Sequence, residues 1–272
     1  MARLRVTILG CGSSPGVPRI GNDWGKCDPD NPKNRRRRCS ILVQQLGDRD
    51  SVTNVLVDTS PDMREQLLDA GIGTLDGVLY THAHADHIHG IDDLRAFWIN
   101  SGERIDVYAD QVTTERLHEA FGYCFKAPES SFYPPILRTN LIHHWEPVKI
   151  EGAGGTLLCL PFTQRHGSIY TLGFRFGGLA YSPDVSDLDT QAVEALQDLD
   201  VWIVDALRDR PHPSHFSLAE ALDWIERLKP KRAILTHMHI DLDYETLRAQ
   251  LPPHVEPAYD GMVIELDQRM HE

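Results

Sequence analysis

Short runs of Val, Leu and Ile recur at 4–9, 41–46, 54–58 and 77–81, separated by Gly, Asp and Pro. Apolar runs punctuated in this way predict strands. Between the third and fourth, the segment PDMREQLLDAG predicts a helix, with Ser60 as N-cap, Pro61 at the first helical position, Met63, Leu67 and Leu68 facing inward and Gly71 ending it. Helices are expected at 92–101 and 111–122 around a strand at 105–109, and 124–135 (CFKAPESSFYPP) has the composition of a loop overhanging a site. The second half continues with strands near 155–160, 170–176, 178–181, 201–205, 232–236 and 262–266, and helices at 189–198, 217–228 and 243–250. The helix from 217 is the best signed of these. Ser217 and Glu220 make a capping box, and Leu218, Ala221, Leu222, Ile225 and Leu228 form one apolar face. Strand runs broken by helices predict one α/β (α+β) domain over 1–272, built as a mixed sandwich, and no fixed-period repeat is visible.

Charge and composition narrow the function. With 40 acidic against 27 basic residues and a formal net charge of -13, the chain does not suit binding that rests on counterion release from long nucleic acid. A small substrate fits better. A strand already begins near residue 3, and no apolar run reaches the roughly 18 residues of a membrane span, so a cytoplasmic protein without membrane attachment is expected. Its five cysteines (Cys11, Cys27, Cys39, Cys124 and Cys159) are scattered and form no C-x-x-C pair, which disfavours a disulfide framework or a four-cysteine zinc site.

Candidate chemistry is concentrated at Thr81-His-Ala-His-Ala-Asp-His87, directly after the strand GVLYT. Extended alternation puts His82 and His84 on one side, and the following turn can bring Asp86 and His87 toward a second point nearby. A solvated histidine-rich loop is the alternative reading. Three further strands lead into His166, Asp184 and His237, and ligand-type residues at strand exits can converge.

These residues, in this order, resemble the ligand pattern of the metallo-β-lactamase superfamily, H-x-H-x-D-H followed by His, Asp and His at strand ends. The resemblance spans nearly the whole chain and implies a four-layer αββα sandwich. It further implies that His82, His84 and His166 hold one metal and Asp86, His87 and His237 a second, with Asp184 bridging. An aspartate bridge is usual in the superfamily's phosphodiesterases and thioester hydrolases and usually missing from its lactamases. The segment from Pro213 to Ala221 resembles the loop that carries a catalytic histidine in RNase Z-like phosphodiesterases, matched here by His215. Together with GCGSSPGVPRIG, the run ending RRCS, and THMHIDLDY, the chain looks like the phosphoribosyl cyclic phosphate phosphodiesterase group. That group can carry a structural zinc on three cysteines and a histidine. Only Cys27 matches here and the histidine position is Ile240, so no structural zinc is expected, and His239 is expected to lie outside the metal ligands.

The activity so implied is hydrolysis of a small cyclic ribose phosphate or nucleotide-like phosphodiester. Two divalent cations, manganese or zinc, would lower the pKa of a shared water from 15.7 toward about 7. Asp86 would orient the nucleophile and His215 would protonate the departing alkoxide. A thioester or lactone hydrolase of the same fold, or a nucleotide-binding metalloprotein without turnover, are the alternatives. Asp58, Asp92 and Asp93 are candidates to orient the ligating imidazoles. Residues Arg35 to Arg38 could grip a substrate phosphate or be salt-bridged within the chain. Gly10 to Gly16 reads as a structural turn rather than a nucleotide loop. A homodimer is the default assembly.

Overall fold

Alternation of buried and exposed positions appears at once in β1 (Arg3–Gly10), where Leu4, Val6 and Ile8 are buried. This computed structural model describes residues 3–127 and 133–267. Further strands are β2 (Ser40–Leu46), β3 (Val52–Val57), β4 (Gly77–Leu79), β5 (Ile105–Ala109), β6 (Leu137–Leu141) and β7 (Val148–Ile150). They are followed by β8 (Leu157–His166), β9 (Ile169–Phe176), β10 (Leu179–Ser182), β11 (Val201–Asp205), β12 (Arg232–Thr236), β13 (Val255–Pro257) and β14 (Met262–Asp267). The helices are α1 (Met63–Asp69), α2 (Ala85–Ile88), α3 (Arg95–Ser101), α4 (Gln111–Phe125), α5 (Thr190–Ala195), α6 (Leu218–Leu228) and α7 (Tyr244–Gln250).

Two seven-stranded mixed sheets result, ordered β14-β1-β2-β3-β4-β5-β6 and β13-β12-β11-β10-β9-β8-β7. In the first, β14 through β3 pair antiparallel and β3 through β6 parallel. The second has the same division, parallel from β13 to β10 and antiparallel from β10 to β7. Val6, Val43 and Val55 of one sheet and Phe162, Phe174 and Ile203 of the other belong to one buried cluster, which glues the sheets face to face. On the outer side of the first sheet, Met63, Leu67, Leu94 and Leu117 from helical segments cover Leu42, Leu56 and Val78. Ala192, Ala221, Ile225 and Leu247 bring the helices of the second half onto the other sheet. The four-layer αββα sandwich expected from the sequence is the observed fold.

Local differences have local causes. The first helix begins at Met63, because Ser60 is used as a turn: its carbonyl accepts from the Met63 N–H and its hydroxyl from the Asp62 N–H. In that helix Met63 and Leu67 are buried as expected, whereas Leu68 points outward at 60% exposure and the buried position beside them is taken by Gln66. Gln66 is accommodated by hydrogen bonds to Ser60 and to the Arg38 carbonyl. The stretch 91–94 is a tight 3-10 turn ahead of α3. The expected loop at 124–135 is in part helix, since Cys124 and Phe125 end α4, and its 128–132 portion lies outside the described residues. The capping box of α6 is formed by Ser217 and Glu220 as anticipated. Strands β6, β7 and β13 are short edge or near-edge pieces that the apolar pattern does not signal.

Arg36 is 1% exposed, with no carboxylate partner among the described residues. Its guanidinium donates to the carbonyls of His239 and Leu242, to Asn34 Oδ1 and to Cys27 Sγ, tying the N-terminal loops to the segment that follows β12. A guanidinium thus stands beside Cys27, where the resemblance would have allowed a structural zinc. Arg37 is paired with Asp69 and Asp260, and Arg38 with Asp62, so the arginine run is largely consumed internally.

Asp260 anchors the same region, accepting from the main-chain N–H groups of Cys11 and Arg37. Burial raises its pKa against the opposing pull of Arg37, to about 6. A carboxyl whose folded pKa exceeds its unfolded value favours the native state fully below that unfolded value, 3.8, and loses this contribution as pH rises through about 6. The stability difference between wild type and Asp260→Asn is therefore expected to shrink by about 2–3 kcal/mol between pH 4 and pH 7, read by urea denaturation. A difference independent of pH would contradict it.

Candidate metal centre

The parallel halves of the two sheets run their carboxyl ends to a common edge, the usual place for a site in such sheets. Asp58 follows β3, the His82–His87 segment follows β4, Asp184 follows β10, Asp205 ends β11 and His237 follows β12. His166 arrives at the end of the long antiparallel β8. Asp58, Asp184 and His237 all have positive φ (65°, 49° and 58°). Such backbone is costly for non-glycine residues and persists where its surroundings enforce it.

Within the motif, His84 has extended backbone and its ring lies 4.5 Å from that of His82. The chain then turns into the single turn of α2, which swings Asp86 and His87 to the other side. Gly90 closes this turn against Thr59, donating its N–H to the Thr59 carbonyl; a side-chain carbon there would strike the Ser60 carbonyl.

Asp184 lies between two groups of donors. Its Oδ2 is 3.6 Å from His82 Nε2 and 3.7 Å from His166 Nε2. Its Oδ1 is 3.2 Å from both His87 Nε2 and His237 Nε2. Asp86 Oδ2 stands 3.6 Å from His87 Nε2 and 3.8 Å from His237 Nε2. Two clusters, His82–His84–His166–Asp184 and Asp86–His87–Asp184–His237, have ligand atoms within 4.8 Å of one another. The structure thus gathers all seven sequence-derived metal-ligand candidates.

The chemistry of the donor set fits cations. His82 Nε2, His87 Nε2, His237 Nε2 and Asp184 Oδ1 are buried without a hydrogen-bond partner. Buried polar atoms are normally satisfied, and a group of them facing one another invites an electrophile. Proton placement agrees. The Thr81 hydroxyl donates to Asp58, which leaves its oxygen to accept from His82 Nδ1. His87 Nδ1 donates to Asp58 at 2.7 Å and His166 Nδ1 to the Ser214 carbonyl at 2.5 Å. In each ring the Nδ1 contact points outward and turns Nε2 toward the centre.

Electrostatics follow from burial and crowding. Burial drives the His82 pKa well below its ordinary value, aided by His87. For His87, burial opposes the proton, but the carboxylates of Asp184, Asp58 and Asp86 outweigh it and raise the pKa well above ordinary. The Asp184 and Asp86 carboxyls are lifted by burial and lowered further by the neighbouring imidazoles, ending below the usual carboxylate range.

Sequence reasoning missed two members. Asp205, fully buried, accepts the Nδ1 proton of His215 at 2.7 Å. Burial works to lower the His215 pKa, but the Asp205 charge and hydrogen bond prevail and push it up to about 9. Its only sequence signal is a carboxylate closing an otherwise apolar strand. Ser14, in the glycine-rich loop read as structural, donates to Asp86 Oδ2 at 2.7 Å. Of the carboxylates expected to orient imidazoles, Asp58 reaches one, while Asp92 pairs with Arg95 and Asp93 is exposed. His239 lies outside the ligand clusters, accepting from Arg19 and contacting Asp241. His215 Nε2 lies 4.0 Å from Asp184 Oδ2, and its ring stacks on His237 at 4.7 Å.

Residues 53–238 match the family model described as Beta-lactamase superfamily domain. The chain belongs to this superfamily. It is similar to a solved structure described as a new diphosphatase from the PhnP family, with 37% identity, 98% of each chain covered and a TM-score of 0.87. It is 32% identical over 271 residues to a protein of Porphyromonas gingivalis (strain ATCC BAA-308 / W83) named octanoyltransferase, covering 98% of this chain and 52% of that one. The chain thus spans about half the length of that relative. Human tRNase Z, short form, shares the fold at 19% identity, with 96% of this chain and 98% of that chain covered and a TM-score of 0.62. The chain has the metallo-β-lactamase fold, and that fold implies divalent metal ions. No helix among the described residues is long and apolar enough to cross a membrane.

Asp58 fixes His87 and, through Thr81, His82. Asp58→Asn is expected to weaken divalent-metal affinity about 10–100-fold, measured by competition with a chromogenic chelator. Unchanged affinity would show that the imidazoles are oriented without it.

Proposed function

We propose that the protein is a two-metal phosphodiesterase acting on a small ribose phosphate ester. One observation carries the reading: the Asp205–His215 pair stands at the edge of the centre, its outer nitrogen 4.0 Å from the carboxylate that both ligand clusters share. A thioester hydrolase, whose thiolate departs without a proton, could use the same ligands without such a donor. Poor alkoxide leaving groups require one. The similarity to a PhnP-family diphosphatase over nearly the full length also supports phosphoric ester chemistry. Octanoyl transfer, named for a protein of which this chain matches about half, gains no support from a centre made of imidazoles and carboxylates.

When bound by His82, His84, His166, Asp86, His87, Asp184 and His237, two divalent cations, manganese or zinc, supply the positive charge that acidifies an attacking water and offsets the phosphate. The residues of the chain do the rest. Asp86, held by Ser14, orients the water. Asp58 and the Ser214 carbonyl keep the imidazoles aimed inward. His215, held by Asp205 through Nδ1, gives its Nε2 proton to the departing oxygen. A new P–O bond forms to the water oxygen as the bond to the leaving oxygen breaks.

His215→Ala is expected to lower kcat about 100-fold or more with an alkyl leaving group and far less with 4-nitrophenolate, which departs without a proton. Metal content by mass spectrometry should stay at the wild-type value. Equal losses with both leaving groups would remove the proton-donor role. Wild-type protein loaded with manganese, zinc, cobalt or nickel that hydrolyses no phosphodiester would sink the reading itself.

A further inference from the structure

At the His82–His84 edge of the centre, the surface opens into a cavity of about 820 Å³. That volume is in the range of small-molecule sites and exceeds the needs of a phosphate and its leaving oxygen. Its apolar lining comes from three separate segments: Val112 on α4, Ile169 and Tyr170 at the start of β9, and Ala83 within the motif. Val112, Ile169 and Tyr170 are 72%, 39% and 56% exposed. Apolar side chains left uncovered and gathered beside metal-ligand candidates mark a ligand surface rather than a packing fault.

The Tyr170 ring is held in place. Arg165 donates to its hydroxyl at 2.9 Å and lies over its ring, 4.8 Å from the centroid. A pinned ring offers a flat group a stacking partner at little entropic cost. Asp110, Arg116 and His144 also line the cavity. Asp110 caps α4 through Oδ1 and its Oδ2 lies 3.9 Å from His144 Nε2, while Arg116 pairs with Glu119, so this rim keeps further donor and acceptor capacity that a heteroaromatic edge can use and a saturated chain cannot.

Position fixes which part of the substrate enters. The His166 ring stands between His84, 5.1 Å away, and His215, 4.6 Å away. The cavity shares His82 and His84 with the centre and does not include His215. A leaving oxygen beside His215 therefore places the retained ester group at the cavity. We propose that the cavity is a nucleobase subsite, so that the substrate is a nucleotidyl ester and the retained product a nucleoside monophosphate. This rests on the phosphodiesterase reading above. The step consumes one water, whose oxygen bonds to phosphorus while its proton balance is completed by the alcohol released on the His215 side.

The experiment uses the metal-loaded full chain with thymidine 5′-(4-nitrophenyl phosphate), methyl 4-nitrophenyl phosphate and octyl 4-nitrophenyl phosphate. Because the leaving group is constant, only the retained group varies. Wild type is expected to favour the thymidine ester over the methyl ester at least tenfold in kcat/KM, through KM, with thymidine monophosphate as the nucleoside product. Tyr170→Ala should lower that preference about tenfold, again through KM, and Tyr170→Phe, which keeps the ring, should restore most of it. Tyr170 is exposed, and far-ultraviolet circular dichroism checks that both variants fold. Equal use of thymidine and methyl esters, preference for the octyl ester, or a preference unmoved by Tyr170→Ala overturns the subsite while leaving phosphodiester hydrolysis standing. Wild type inactive on all three overturns both.

Discussion

Everything in this molecule is arranged around one costly feature: imidazole nitrogens and carboxylate oxygens buried face to face at Asp184 without a hydrogen-bond partner among the described residues. Left alone, such groups destabilise a fold, because each gives up water and receives nothing in return. The sandwich offsets this with a large apolar core joining the two sheets, and confines the polar cluster to the edge where parallel strands end. Positive φ at Asp58, Asp184 and His237 belongs to the same cost, since aiming three side chains inward from strand ends takes backbone that regular structure does not provide.

The two sheets contribute in parallel ways. Asp58, directly after β3, receives the Nδ1 proton of His87; Asp205, the last residue of β11, receives that of His215. Each carboxylate is buried and each turns the outer nitrogen of an imidazole toward the centre. Yet their consequences differ with surroundings. His87 faces two carboxylates on its inner side, in a position suited to ligate, whereas His215 stands farther out and is partly open, in a position suited to exchange a proton.

Charge is used locally rather than globally. Although the chain carries a net charge of -13, the arginines from Arg36 to Arg38 are spent on holding the N-terminal loops, Arg36 against the segment after His237, Arg37 against Asp260 and Arg38 against Asp62 ahead of α1. The loop from Gly10 to Gly16 is held in the same frame and delivers Ser14 to Asp86. Distant stretches of sequence therefore meet at the centre by way of hydrogen bonds to main chain, which leave no mark in residue pattern.

The sequence alone made the candidate ligand cluster legible and, through the family resemblance, the two-sheet sandwich. The spacing of His82, His84, Asp86 and His87 after an apolar strand, and single ligands at later strand exits, are local patterns that reflect chemistry directly. The capping box of α6 was legible for the same reason. Leu68 was not, because helical periodicity cannot tell that Gln66 would be buried, accepting a hydrogen bond from the Ser60 hydroxyl and donating one to the Arg38 carbonyl. Only the tertiary structure decided that Asp205, 10 residues before His215, is its partner, and that Tyr170 and Val112 border one cavity. Those relations depend on the register and packing of strands far apart in the chain, and long-range distance is the quantity that a residue string does not encode locally.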